Sequence, residues 1–284
     1  MNLDKKILLV GSKGMAGHVV YYYLREHGYN VVDIARDSEL FEPTYKLDVT
    51  RFDEFKVILV KEAPDVVVNC IGILNKDAED NPDKAILLNS HLPHFIAKAG
   101  AELGFKLIHV STDCVFNGKK GNYTVDDPKD GIGFYAQSKA IGEVTYGKNL
   151  TLRTSIIGPE IKNGIGLFHW FMGQKGEIKG YTRVFWTGVT TIELAKAIAE
   201  AIEKDPKGLY HLVNNEKISK YDLISLFRMV FERDDITIQP FDSYCVDKSL
   251  VKNNAFFSYD VPPYKMMIEE MKEWMQNHKS LYKY

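Results

Sequence analysis

Short apolar runs alternate with longer segments whose apolar residues recur at helical spacing along the first half of the chain. The runs contain many β-branched residues and show little polar alternation, which is typical of parallel strands buried on both faces. We predict strands at Lys6–Val10, Asn30–Ala35, 45–49, 65–72, 107–110 and 149–157, and helices at 18–27, 51–62 and 85–103. This alternation predicts an α/β fold with a doubly wound parallel sheet of the Rossmann type.

The second half of the chain is less regular and carries bulkier aromatic residues. Its pattern predicts a helix to residue 203 capped by Thr190 or Thr191, a strand at 208–213, a helix from Ser219 to Phe231, and a last amphipathic helix at Tyr264–Asn277. We therefore expect residues 1–157 to form a dinucleotide-binding Rossmann domain. Residues 158–284 should form mainly a smaller α/β substrate domain, with some segments returning to the Rossmann sheet.

A glycine-rich loop follows the first strand directly. Gly11, Gly14 and Gly17 stand at the spacing Gly-x-x-Gly-x-x-Gly, with Lys13 and Met15 between them, and a helix comes next. Glycines at these points allow a tight turn and a close approach of the backbone to a pyrophosphate, which then faces the positive end of the helix. The position of this loop between a strand and a helix predicts a dinucleotide site.

The end of the second strand indicates which dinucleotide binds. Enzymes selective for NAD place an acidic residue there to hold the ribose 2′-hydroxyl, whereas NADP enzymes offer a cation. In this chain Ala35 takes the usual acidic position and Arg36 follows it, while Asp33 lies earlier in the strand. With Lys13 also available, we expect NADPH, and NADH stays open.

Hydroxyl groups and a Tyr-x-x-x-Lys pair suggest proton-transfer chemistry. The apolar strand at 107–110 leads into Ser111 and Thr112, and Tyr135 and Lys139 lie one helical turn apart farther along. A nearby ammonium group stabilises a phenolate, so Lys139 should lower the pKa of Tyr135 and make it a usable acid. Thr112 can donate a hydrogen bond to a substrate carbonyl. The alternative interpretation is a chance pair on a solvated helix face.

Composition and charge exclude several other classes of protein. With 36 basic and 38 acidic residues among 284, the net charge of -2 gives no reason to expect nucleic acid or a membrane surface as a partner. The three cysteines, Cys70, Cys114 and Cys245, are odd in number and widely spaced, which favours a reducing compartment and argues against a zinc site. The apolar run after Lys6 is too short for a signal peptide, so we expect a cytoplasmic protein.

Four motifs give the chain a family resemblance. They are Ser-Thr-Asp-Cys-Val-Phe at 111–116, Tyr-Ala-Gln-Ser-Lys at 135–139, Gly-Glu at 142–143 and Leu-Arg-Thr-Ser at 152–155. With these motifs the chain resembles the extended short-chain dehydrogenase/reductase superfamily, and within it the dTDP-4-dehydrorhamnose reductase family of sugar-nucleotide 4-ketoreductases. Members usually have a proline shortly before the tyrosine and a glycine after it, where this chain has Gly133-Phe134 and Ala136.

The resemblance implies a set of site residues and a reaction. It implies catalysis by Thr112, Tyr135 and Lys139, and NADPH-dependent reduction of a nucleotide-linked 4-keto-6-deoxyhexose in deoxysugar or polysaccharide biosynthesis. We expect the cofactor to contact Gly11, Lys13, Gly14, Met15, Gly17, Arg36, Asp48, Val49, Cys70, Ile71, Gly72, Asn89, Tyr135 and Lys139. We expect the nucleotide sugar to contact Asp113, Cys114, Phe116, Arg183 and Trp186. A homodimer is left open.

The sequence also bears on three other functions: a dehydratase, an epimerase and a regulatory subunit. Sugar-nucleotide 4,6-dehydratases carry an Asp-Glu pair where this chain has Asp113 and Cys114, and a thiol substitutes poorly for that carboxylate, so we do not expect dehydration. A sugar-nucleotide epimerase would keep NAD tightly bound, which Ala35 argues against. The family also includes a dinucleotide-binding regulatory subunit of methionine adenosyltransferase, and retention of Thr112, Tyr135 and Lys139 speaks against that role.

Overall fold

A seven-stranded parallel sheet organises the protein. A computed structural model describes residues 4–162, 164–253 and 257–284. The strands of the sheet are β1 (Lys6–Val10), β2 (Asn30–Ala35), β3 (Tyr45–Lys46), β4 (Val66–Asn69), β5 (Lys106–Thr112), β6 (Leu150–Thr154) and β11 (Gly208–His211). They lie in the order β11-β6-β5-β4-β1-β2-β3, and every neighbouring pair is parallel. The predicted doubly wound α/β fold is confirmed.

Helices cover both faces of the sheet, and a last helix packs against the second half of the chain. They are α1 (Met15–Glu26), α2 (Phe52–Glu62), α3 (Asn75–Asp80), α4 (Pro82–Ala85), α5 (Leu92–Leu103), α6 (Phe134–Ile141), α7 (Leu167–Met172), α8 (Thr191–Lys204), α9 (Lys220–Val230) and α10 (Tyr264–Asn277). The residues just before α8 and α9 cap these helices, since the hydroxyls of Thr190 and Ser219 accept hydrogen bonds from backbone N–H groups of the first turn.

The first strand shows why the apolar runs lack alternation. Ile7 and Leu9 join a core beneath α1 and α8, whereas Leu8 and Val10 join a separate core beneath α2 and α5. All four side chains are fully buried. Because each face of the strand meets a helix layer, both sets of positions must be apolar. Full burial of such a side chain stabilises the fold by roughly 1.5–3 kcal/mol.

Shorter strands build the second half of the chain. Here β7 (Ile156–Ile157) pairs with β10 (Val189–Thr190), β8 (Gly176–Tyr181) pairs with β13 (Ile236–Phe241), and β9 (Val184–Trp186) lies between β12 (Ile218–Ser219) and β14 (Val246–Asp247). The chain therefore supplies one strand of the large sheet, β11, from beyond residue 157.

Two predicted elements are interrupted in the structure. The helix predicted at 85–103 is α4 followed by a π-helical turn at Ile86–His91 and then α5. The strand predicted at 149–157 breaks at Ser155, so that β6 stays in the large sheet while β7 pairs with β10. Both interruptions lie beside the site described below. Such local irregularity is common where a fold positions functional groups.

Candidate active site

The interior strand β5 ends in the predicted catalytic hydroxyl. Thr112 is the last residue of β5, and its Oγ1 accepts a hydrogen bond from the Cys114 backbone N–H at 3.1 Å. The same hydroxyl donates to Oδ1 of Asp113 at 3.2 Å. Since β5 lies between β4 and β6, Thr112 stands at the carboxyl edge of the sheet, where ligands bind in open α/β folds.

Helix α6 brings Tyr135 and Lys139 to the same strand. The Lys139 ammonium donates a hydrogen bond to the carbonyl oxygen of Val110 at 2.7 Å and is buried. Burial lowers the pKa of Lys139 to about 8, against opposing effects of Glu143 and Cys70. Tyr135 interacts with the hydroxyl of Thr112. The structure thus gathers the three predicted catalytic residues around the end of β5.

The expected effect of Lys139 on the pKa of Tyr135 is wrong for this structure. Burial raises the pKa of Tyr135 well above its ordinary value, and the Cys114 and Asp113 side chains raise it further, against a hydrogen bond with Thr112 that lowers it. The physical reason is that desolvation of the phenolate dominates, while the Lys139 ammonium is directed to the Val110 carbonyl. Tyr135 therefore keeps its proton at neutral pH.

A buried ion pair supports the strand end from below. Glu143 accepts hydrogen bonds from Arg153 Nε and Nη2, each at 2.7 Å, and from the Ser111 hydroxyl at 2.8 Å. Both charged side chains are only 1% exposed. The Arg153 Nη1 donates to Nε2 of His211 at 2.8 Å, and burial together with Arg153 lowers the pKa of His211 to about 4. The Gly-Glu and Leu-Arg-Thr-Ser motifs therefore form the support beneath the hydroxyl groups.

A cleft of about 300 Å³ opens beside the glycine-rich loop, and we call it the glycine-loop cleft. Nine of the predicted cofactor residues line it: Gly11, Lys13, Gly14, Arg36, Asp48, Val49, Cys70, Ile71 and Gly72. Residues that the sequence interpretation missed also line it, namely Ile34, Ala35, Asp37, Leu47, Ile73, Asp77, Lys84, Leu88 and Lys162. Ile34, Ala35 and Asp37 adjoin Arg36 at the end of β2, so the sequence argument for Arg36 could have included them. Lys162 is far from them in the sequence, and no local pattern indicates it.

Gly11 in the loop and Gly17 in the first turn of α1 leave no room for a larger side chain. Gly11 has a φ of +92°, and a Cβ there would lie 2.7 Å from Cγ1 of Ile71. A Cβ on Gly17 would lie 2.0 Å from the carbonyl oxygen of Gly11. The loop therefore folds tightly against the start of α1 and leaves backbone groups facing the cleft. An apolar floor, a turn of this shape and basic side chains at the rim fit an adenine dinucleotide with its anionic pyrophosphate.

Five predicted cofactor residues lie outside the lining of the cleft: Met15, Gly17, Asn89, Tyr135 and Lys139. Lys139 is nevertheless adjacent to it, because its Nζ lies 3.9 Å from the point where a Cβ on Gly72 would stand. Asn89 is fully buried, and its amide bonds the backbone N–H and carbonyl of Ile73, each at 3.0 Å, and the Ser138 hydroxyl at 3.1 Å. These bonds tie the edge of the cleft to α6, and Oδ1 of Asn89 lies 3.2 Å from the same point on Gly72, so its contact with the cofactor stays a prediction.

Comparison with known proteins places this architecture in a family. The model of the RmlD substrate binding domain matches residues 5–250. The chain belongs to the RmlD substrate binding domain family. The resemblance to the extended short-chain dehydrogenase/reductase superfamily is thereby confirmed, and with it the prediction of an oxidoreductase-type enzyme at the level of this family.

Several known proteins are similar to this RmlD family member in sequence or in structure. The spore coat polysaccharide biosynthesis protein SpsK of Bacillus subtilis is 29% identical, with 76% of each chain covered. Methionine adenosyltransferase 2 subunit beta of Bos taurus is 24% identical over 84% of this chain and 75% of the relative. A hypothetical dTDP-4-dehydrorhamnose reductase from Sulfolobus tokodaii has a TM-score of 0.75 at 25% identity, covering 90% of this chain and 97% of that one. The Bacillus anthracis dTDP-4-dehydrorhamnose reductase, solved in complex with NADP, has a TM-score of 0.80 at 19% identity, covering 95% and 99%.

Two residues predicted to contact the sugar nucleotide in this RmlD family member are core residues. Phe116 is fully buried, stacks on Tyr123 with ring centroids 4.2 Å apart, and lies beneath the Arg153 guanidinium. Trp186 is 2% exposed and packs against Tyr264. The prediction of direct substrate contacts is corrected for both, because aromatic side chains of this size stabilise the fold most when they are sequestered from water. Arg183 is exposed ahead of β9.

Two lysines that the sequence interpretation missed belong to the surroundings of Asp113 and Cys114. Lys220 at the start of α9 interacts electrostatically with both side chains and lies over the Trp186 ring, 5.2 Å from its centroid. Burial lowers the pKa of Lys220 to about 8. Burial raises the pKa of Asp113, against opposing effects of Lys248 and Lys220. This set of charges faces the predicted catalytic residues from the second half of the chain.

The described ranges 4–162, 164–253 and 257–284 contain neither a cluster of metal-ligating side chains nor a membrane-spanning helix. No group of three or more His, Cys, Asp or Glu side chains there is arranged to hold a metal ion. No helix in the same ranges is both long and apolar enough to cross a bilayer.

Proposed function

We propose that the protein reduces the keto group of a nucleotide-linked sugar with NADPH, the favoured substrate being a nucleotide-linked 4-keto-6-deoxyhexose. The observation that carries the proposal is the gathering of Thr112, Tyr135 and Lys139 at the end of β5, next to Gly72 of the glycine-loop cleft. Hydroxyl, phenol and ammonium groups in that arrangement suit the protonation of a carbonyl oxygen.

The bound dinucleotide would supply the hydride in this reaction. Tyr135 would give its phenolic proton to the carbonyl oxygen, and its raised pKa keeps that proton in place at neutral pH. Thr112 would donate a hydrogen bond that fixes the orientation of the carbonyl. Lys139, charged at neutral pH, would hold the ribose next to the nicotinamide.

The second half of the chain would hold most of the sugar nucleotide. In this proposal residues 1–157 form the cofactor domain and residues 158–284 form mainly the substrate domain. Asp113 would bond a sugar hydroxyl, with Cys114 beside it. The lysine side chains of Lys220 and Lys248 that interact with Asp113 support an anionic substrate such as a nucleoside diphosphate sugar. A role in deoxysugar or polysaccharide biosynthesis follows from that substrate class.

A panel of substrates tests the proposal directly. NADPH oxidation is followed by absorbance with dTDP-, UDP- and GDP-linked 4-keto-6-deoxyhexoses, and the product is identified by chromatography. We expect stoichiometric oxidation of NADPH with at least one of them and a product that is reduced by two electrons. An epimerase would copurify with NAD and give no net absorbance change. The absence of oxidation with every sugar would contradict the proposal.

A regulatory role is the second candidate, and one relative favours it. Methionine adenosyltransferase 2 subunit beta of Bos taurus aligns with most of the chain. As a regulatory subunit, this protein would bind NADPH, oxidise none of it with any ketosugar, and change the rate of a methionine adenosyltransferase catalytic subunit. The two candidates therefore predict opposite outcomes in the same NADPH assay, and a rate measurement with the adenosyltransferase completes the comparison.

A further inference from the structure

A carboxylate holds two lysines together at one end of the glycine-loop cleft. Oδ1 of Asp37 lies 3.3 Å from Nζ of Lys13, and Oδ2 lies 2.8 Å from Nζ of Lys162. Lys13 also donates a hydrogen bond to the carbonyl oxygen of Glu39 at 2.5 Å. The hydrogen bond from Lys162 is the main cause that lowers the pKa of Asp37 to about 2. The three side chains form a continuous ion network.

The network connects parts of the chain that are far apart in sequence. Lys13 comes from the loop after β1, Asp37 follows the end of β2, and Lys162 lies 125 residues beyond Asp37. All three line the glycine-loop cleft together with Arg36. The end of β2 is the place where a Rossmann fold meets the adenosine ribose. Lys162 thus extends from the second half of the chain to the adenosine end of the cleft.

The charges define what this end of the cleft can bind. The Lys13 side chain is only 6% exposed, so its ammonium needs a nearby anion or other acceptors. Asp37 provides an anion for both lysines, and Oε2 of Glu39 lies 3.4 Å from Nζ of Lys162, so two carboxylates face the three basic side chains of Lys13, Arg36 and Lys162. A phosphate monoester carries nearly two charges at neutral pH and offers three acceptor oxygens. It can therefore replace the carboxylate as the partner of both lysines.

We propose that Lys162, together with Lys13 and Arg36, binds the 2′-phosphate of the adenosine cofactor, and that Asp37 is the internal anion that this phosphate displaces. This inference rests on the dinucleotide-binding part of the proposed function and adds the group that selects the cofactor. When the ribose carries a free 2′-hydroxyl, Asp37 accepts a hydrogen bond from it. Asp37 therefore supports NADH, and Lys162 supports NADPH.

The test measures binding, so that it needs no sugar substrate. Affinities of Lys162→Met, Lys162→Arg and the unaltered protein are determined by titration with NADPH, NADH, 2′,5′-ADP and ADP. We expect Lys162→Met to bind NADPH and 2′,5′-ADP about tenfold more weakly, as for loss of one charge-assisted contact, with NADH and ADP unaffected. Lys162→Arg should keep most of the affinity. Lys204→Met is the matched control, because Lys204 pairs with Glu200 on the exposed side of α8.

A second variant tests the role of Asp37. Asp37→Asn removes the carboxylate that would repel the phosphate, so NADPH should bind more tightly and NADH more weakly. The inference is overturned if Lys162→Met weakens the phosphorylated and unphosphorylated ligands equally, if it changes neither, or if Asp37→Asn shifts both cofactors in the same direction. Failure of every ketosugar in the oxidation assay would contradict the proposed reduction without altering these binding results, so the two failures are distinguishable.

Discussion

The ammonium of Lys139 lies 2.7 Å from the carbonyl oxygen of Val110, which fixes α6 against β5 of the sheet. The contact orients Lys139 toward the backbone of β5, beside Gly72 of the glycine-loop cleft. The ammonium is buried in this position, and the resulting desolvation lowers the pKa of Lys139 to about 8. The charge of Lys139 is therefore sensitive to pH in the range where enzymes are commonly assayed.

Turnover should fall as the pH rises through about 8, because Lys139 then loses the charge with which it would hold the nicotinamide ribose. Tyr135 itself does not account for such a fall, since burial raises its pKa far above this range. The measurement is kcat/KM for ketosugar reduction between pH 6 and pH 10.

Two variants assign that pH dependence. Any residual activity of Lys139→Arg should show no fall near pH 8, because a guanidinium stays protonated throughout. Lys220→Met should keep the midpoint of the unaltered enzyme, whatever its rate, although burial also lowers the pKa of Lys220 to about 8. A midpoint that disappears in Lys220→Met and persists in Lys139→Arg would assign the dependence to Lys220 instead.

Glu143→Gln should destabilise the fold strongly, because it leaves the buried Arg153 guanidinium without a countercharge. Removal of one partner from a buried pair typically costs about 3–5 kcal/mol of unfolding free energy. Chemical denaturation at pH 7 measures the change. The matched control is Glu102→Gln, which breaks an exposed pair with Lys56 and should cost below about 1 kcal/mol. Equal stabilities for the two variants would show that the buried pair does not support the strand end as described.

The protein should lose stability as the pH falls from about 6.5 to about 4, partly through His18. Burial lowers the pKa of folded His18 to about 4, against a hydrogen bond to the Gly14 carbonyl that raises it. Between these two pH values His18 is protonated in the unfolded chain and neutral in the folded chain. The free energy of unfolding therefore decreases as the pH falls, by roughly 3 kcal/mol over the difference between the two pKa values. Above pH 6.5 both states are neutral at this residue and the effect vanishes.

Denaturant unfolding at pH 7 and pH 4.5 measures that acid sensitivity. His18→Gln removes the titrating ring, so the difference in unfolding free energy between the two pH values should be smaller in this variant than in the unaltered protein. The His18 ring also accepts a hydrogen bond from the Tyr282 hydroxyl at 2.9 Å, and the comparison of pH differences cancels the loss of that contact. An undiminished pH difference in His18→Gln would assign the sensitivity to other groups, such as His211.

Local patterns in the sequence were sufficient for the sheet and for the glycine-rich loop. The run at Lys6–Val10 is apolar at every position after Lys6 because both faces of β1 are covered, and that signature needs no knowledge of distant residues. Asn89 is the intermediate case, since its residue type indicated a role near the cofactor but only the fold shows its bonds to Ile73 and Ser138.

Packing and long-range charge could not be predicted in the same way. Phe116 and Trp186 match a substrate site in residue type, yet their burial depends on where Tyr123 and Tyr264 lie in the folded chain. Burial determines the pKa of Tyr135 more than the presence of Lys139 one helical turn away does. The spacing of residues in a sequence does not show how strongly a side chain is desolvated. Lys162 meets Asp37 only through the tertiary fold.

Tyr135→Phe shows whether the Tyr135 phenol is the acid of the reduction, because it removes one hydroxyl and leaves the glycine-loop cleft intact. NADPH oxidation with the best ketosugar and NADPH affinity by titration are measured on the same preparation, with Tyr146→Phe as a control for an exposed tyrosine beyond α6. Turnover of Tyr135→Phe should fall about a hundredfold or more, as is typical of a missing general acid, with NADPH affinity retained and with Tyr146→Phe fully active. Unchanged turnover in Tyr135→Phe would contradict the role of Tyr135 as that acid.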